Sequence, residues 1–69
     1  MRSRREALVL GALRSIQRRK NRAVSADEVA GELATTRHDD IHTEATLRRL
    51  VERGDVVLGV EPATYITAR

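Results

Sequence analysis

Two clusters of basic side chains and one run of metal-type ligands are the places where this 69-residue chain could do chemistry. The first cluster is Arg48-Arg49, inside the stretch Asp40–Gly54, DIHTEATLRRLVERG. A guanidinium can donate two parallel hydrogen bonds to a guanine edge or clamp a phosphate. The second cluster is Arg18-Arg19-Lys20-Asn21-Arg22, with Arg2, Arg4 and Arg5 at the other end of the same segment. Its chemistry is salt-dependent attraction to phosphate. The run His38-Asp39-Asp40-Ile41-His42 holds four side chains able to ligate a divalent ion. Nothing elsewhere closes a metal site, and Asp40 has a helix to cap. No nucleophile, oxyanion device or glycine-rich phosphate loop accompanies these residues. No metal, cofactor or enzymatic activity is therefore expected.

The elements that must position these groups follow from apolar spacing and capping residues. Taken as a helix, Asp40–Gly54 puts Leu47, Leu50 and Val51 on one stripe, with Thr43 beside it. His42, Ala45, Arg48, Arg49, Glu52 and Arg53 take the opposite side. Gly54 suits a left-handed C-cap, and the run VVLGV that follows reads as a strand. Ser3-Arg4-Arg5-Glu6 has the form of a capping box. It opens a helix with Val9, Ala12, Leu13 and Ile16 at i, i+3, i+4 and i+7, widened by Leu8. Leu10 falls off that stripe and is expected to be exposed, where it offers a dimer contact. Arg18, Arg19 and Lys20 complement the dipole at the helix end, and Asn21 is a plausible stop.

Ser25-Ala26-Asp27-Glu28 forms a second capping box, flanked by Val24 and Val29 as a hydrophobic staple. Either Asp40 or Thr43 is expected to cap the third helix, with Ile41 turned inward to anchor the loop. The reading is one α+β domain over 1–69: a three-helix core with a C-terminal two-stranded β-hairpin. Helices are expected over about 4–20, 26–35 and 43–53, and strands over about 56–60 and 64–67. Glu61-Pro62-Ala63 makes the turn between the strands.

The totals narrow the function classes. With no Trp or Phe and a single Tyr, the core must be aliphatic and the domain has little room for a deep pocket. At this size, folding hides only about 60% of the unfolded chain's surface. There is no cysteine, hence no disulfide or thiolate metal site. The longest apolar run, ALVLGAL, is far short of the ~20 residues of a membrane span. No membrane partner is expected, and the address is cytoplasmic, including nucleoid-associated, or host cytoplasm for a viral chain. The net charge is +3 and the pI about 10.6. Residues 1–22 hold eight Arg/Lys against one acid, whereas 23–69 hold five Arg against nine acids. The first helix is therefore the basic part of the chain, and an anionic partner is admissible.

The succession helix, short extended segment, helix, helix, strand, strand resembles the winged helix-turn-helix superfamily of DNA-binding proteins. The likeness covers nearly the whole chain and is carried by VSADEVAGEL, by TLRRLVERGDVVL and by PATYIT. It implies that the third helix enters the major groove of double-stranded DNA while the hairpin, or wing, touches a neighbouring groove or backbone. His42, Ala45, Arg48 and Arg49 would face the groove, with Thr43 near a phosphate. Arg18, Arg19, Lys20 and Arg22 would supplement them with phosphate contacts. The implied role is a small transcriptional regulator or DNA-binding accessory factor. A homodimer or larger assembly would supply specificity. The alternative is a winged helix used to bind another protein, with RNA binding behind it. Asp40, Glu44 and Glu52 balance Arg48, Arg49 and Arg53, and the wing carries Glu61 but no Lys or Arg. Those features favour the protein partner; the arginine clusters favour nucleic acid.

Overall fold

Unpaired backbone groups at helix ends decide where each element starts and stops. A computed structural model describes residues 3–38 and 41–68. Among them the order is α1 (Arg4–Lys20), β1 (Val24–Ser25), α2 (Ala26–Thr35), α3 (Thr43–Glu52), β2 (Val56–Leu58) and β3 (Thr64–Thr67). Both expected capping boxes are formed. Ser3 Oγ accepts from the Glu6 N–H at 3.1 Å, and Glu6 Oε1 accepts from the Ser3 N–H at 2.8 Å. Ser25 and Glu28 repeat the exchange at 3.1 Å in each direction. α1 ends at Asn21, whose left-handed backbone (φ 53°) returns its N–H to the Gln17 carbonyl.

α2 and α3 close with one shared motif. His38 N–H bonds Leu33 O and Arg37 N–H bonds Ala34 O. After α3, Asp55 N–H bonds Leu50 O and Gly54 N–H bonds Val51 O in the same pattern. The motif needs a left-handed residue just past the cap: Gly54 at φ 84° in one case, Arg37 at φ 64° in the other. Glycine adopts that conformation without a Cβ penalty, whereas arginine carries a cost of about 1–2 kcal/mol. The start of α3 differs from expectation. Its N-cap is His42, which makes no side-chain capping bond. Thr43 is the first helical residue and its hydroxyl turns back to Ile41 O at 3.4 Å. Asp40 lies outside the described residues.

The sheet is larger than the expected hairpin. β1 and β2 both pair antiparallel with β3, in the order β1-β3-β2, with Val24 opposite Tyr65 and Val56 opposite Thr67. A two-stranded hairpin would have left the second edge of β3 unpaired; the extended segment before α2 satisfies those backbone groups. β2 is shorter than expected and stops at Leu58, because the turn is already closing: Gly59 N–H bonds Thr64 O at 2.9 Å.

The core joins all of these elements. Val9, Leu13 and Ile16 of α1 meet Val24, Val29, Leu33, Leu47, Leu50, Val56 and Tyr65, each fully or nearly buried. Leu10, expected on the surface, is only 2% exposed. α1 packs against α2, α3 and β3 together, so an arc wider than one stripe is covered. Leu10 therefore offers nothing to a second subunit. Gln17 ties α1 to the sheet, its Oε1 accepting from the Thr67 N–H at 2.9 Å.

Two backbone positions give opposite predictions for urea unfolding. A Cβ at Gly59 would collide with Thr64 Oγ1, which donates to Glu61 O, and would lie 3.0 Å from Ala23 Cβ. Gly59→Ala should therefore lower stability by about 1–3 kcal/mol. Arg37→Gly should raise it by up to about 1 kcal/mol by relieving the left-handed turn, net of the added chain entropy. Equal effects at the two sites would show that neither backbone argument holds.

Candidate nucleic-acid interface

α3 is amphipathic with its polar residues at helical spacing, and this places the candidate side chains. Thr43, Thr46, Leu47 and Leu50 are buried, so His42, Ala45, Arg48, Arg49, Glu52 and Arg53 are left on the outer side. The Thr46 hydroxyl is satisfied within the helix by His42 O at 2.8 Å. The exposed side of α3 and the first turn of α1 flank a shallow groove. Arg5, Arg48, Arg49 and Arg53 line it with Glu6 and Glu52, together with Ala45 and His42. Four arginines against two glutamates leave the groove positive.

Glu6 is the residue that builds this arrangement, and the sequence reading saw only its capping role. Its carboxylate is buried (4% exposed) and faces α3. Arg49 Nε donates to Glu6 Oε2 at 3.1 Å, and an Arg53 terminal nitrogen approaches Oε1 at 3.2 Å. A Ser3 backbone N–H holds the Glu6 carboxyl below its ordinary value, against the opposing effect of burial, with help from Arg53 and Arg49. The pairing does not remove Arg49 from the surface. Its side chain remains 70% exposed, and its contact with Glu6 is made through Nε. Glu6 thus anchors Arg49 at Nε while the side chain lines the groove. Arg48 makes no ion pair with any described residue.

The second basic cluster has a different fate. Arg19 pairs with Glu32 at 2.9 Å, while Lys20 and Arg22 share Glu28 at 3.2 and 2.7 Å. The Arg22 hydrogen bonds, then those from Ser25 and Lys20, drive the Glu28 carboxyl far below the carboxylate range. The same contact raises the Arg22 guanidinium. Arg18 stays without an acidic partner among the described residues. It borders a hollow against β3 together with Arg14, which the sequence reading passed over. α1 is about 25 Å long at 1.5 Å per residue, so this end and the α3 groove are well separated.

Of the residues expected to touch DNA, the structure brings His42, Ala45, Arg48 and Arg49 together on one face. Thr43 is buried beside them at the helix start. Arg18, Arg19, Lys20 and Arg22 sit at the far end of α1. No group of three or more metal-type ligands is assembled among the described residues, and Asp39 and Asp40 lie outside these. No helix among the described residues is long and apolar enough to cross a membrane. No protein-family model, curated protein or solved structure matches the chain.

The two depressed carboxyls make stability pH-dependent in a definite direction. Glu6 and Glu28 ionise below the ordinary value of 4.5 when folded. Their contribution is complete above that value and is lost as the pH falls through the lower folded values. The urea midpoint should be level above about pH 5 and fall on acidification. Glu6→Gln and Glu28→Gln should each flatten that fall. An unchanged acid slope in both variants would contradict the assignment.

Proposed function

We propose that this chain binds double-stranded DNA as a small winged-helix protein, with α3 as the helix presented to the major groove. The observation that carries the reading is the outward pair Arg48 and Arg49, one without an ion pair to any described residue and the other held by buried Glu6, beside the small side chain of Ala45. A preset guanidinium loses less freedom on binding than a mobile one. Ala45 permits close approach of the helix to base edges, and His42, exposed at the start of α3, is available to a flanking phosphate. The order β1-β3-β2 behind a three-helix core supports the winged-helix reading. The cluster at the end of α1 is secondary, because Arg19, Lys20 and Arg22 already have carboxylate partners. The role that fits is a regulator or accessory factor.

One observation favours a protein partner as the second reading. The loop between β2 and β3 is acidic and apolar, with Glu61 exposed and no basic residue to meet phosphate.

Fluorescence anisotropy on random duplex DNA across a salt series tests the first reading. Binding should be measurable at low salt and decline linearly on a log–log plot. Arg48→Ala should raise Kd roughly tenfold without moving the urea midpoint. Arg49→Ala should weaken binding and also lower stability, since it removes one of the two guanidiniums paired with buried Glu6. Absence of binding at the lowest salt would overturn the proposal.

A further inference from the structure

We propose that the open edge of β2 is a self-association surface that pairs with β2 of a second copy, joining the two sheets into one. β2 is an outer strand in the order β1-β3-β2. The hydrogen bonds Ala68 N–H to Asp55 O and Gly59 N–H to Thr64 O fix its phase. Asp55, Val57 and Gly59 turn their backbone groups toward β3, so those of Val56 and Leu58 point away from the sheet.

Natural edges are protected by lysine, proline or a covering element. From Val56 to Val60 this one carries only Val-Val-Leu-Gly-Val. Val57 and Leu58 are 47% and 65% exposed, although they belong to a strand.

A second copy fits this edge better than an unrelated strand does, because the outward groups are self-complementary. In an antiparallel pair centred on Val57, each Val56 exchanges both backbone bonds with Leu58 of the other copy. The two Val57 side chains then face each other directly, alongside the Ile66 that each already pairs with. Leu58 covers the other face of the seam. The competing register, centred on Leu58, would set Val56 opposite Val60 of the other copy, which lies past the end of β2 at Leu58 and in the turn toward β3. The extent of β2 therefore selects the Val57-centred register, which uses all three of its residues and in which Val60 stays outside the seam. The surface is small, so the dimer is weak. It requires no ligand and so stands apart from the DNA reading.

Sedimentation equilibrium without DNA provides the test. The apparent mass should rise from 7.7 kDa toward twice that value as concentration increases. Val57→Lys should hold it at 7.7 kDa throughout, with an unchanged circular dichroism spectrum and melting curve in dilute solution. Val60→Lys should behave as the wild type. A wild-type chain that stays monomeric at millimolar concentration overturns the proposal. So does association that survives Val57→Lys, or that is abolished by Val60→Lys.

Discussion

The contact on which the arrangement depends is the buried Glu6 carboxylate between α1 and α3. It closes the first turn of α1 by accepting from the Ser3 N–H, and it receives Arg49 and Arg53 from a helix more than forty residues later. A carboxylate in that position would be costly alone, and the capping bond and two guanidiniums make it tolerable. Because one carboxylate accepts from the Ser3 N–H, Arg49 and Arg53 together, the first turn of α1 and the end of α3 are tied at a single point. The outer surface of α3 inherits its geometry from that one side chain.

Charge is distributed in the fold by the same economy. α2 presents Glu28 and Glu32 to the end of α1, and they absorb Arg19, Lys20 and Arg22. These exposed pairs add little stability individually. They also offset part of the densest basic run in the sequence, two carboxylates against Arg18, Arg19, Lys20 and Arg22, whereas in the α3 groove Arg48 makes no ion pair with any described residue. Linear charge density pointed to α1; the three-dimensional arrangement moves the emphasis to α3.

Much of this fold was legible in the residues. Ser3-Glu6 and Ser25-Glu28 announced two helix starts, and Gly54 announced the end of the third, because capping chemistry is local. Three features were not legible, each for a non-local reason. The short extended segment before α2 was legible, but its pairing with β3 as β1 was not, because that depends on an edge forty residues away. Leu10 is buried because three elements converge on α1, which a single-stripe reading cannot anticipate. The bonds from Glu6 to Arg49 and Arg53 span the whole helical core, so no spacing rule relates them. At the candidate site, helical periodicity sufficed to group His42, Ala45, Arg48 and Arg49 on one face. The pairing state of each arginine depended on tertiary partners.

The claim that α3 is the DNA-facing element is tested most directly by amide chemical-shift mapping during titration with a short random duplex at low salt. The account predicts that shifts concentrate on His42, Ala45, Arg48 and Arg49 and on the first turn of α1, with Arg19, Lys20 and Glu32 little affected. Shifts centred on the paired cluster between α1 and α2, or none at all, would contradict it.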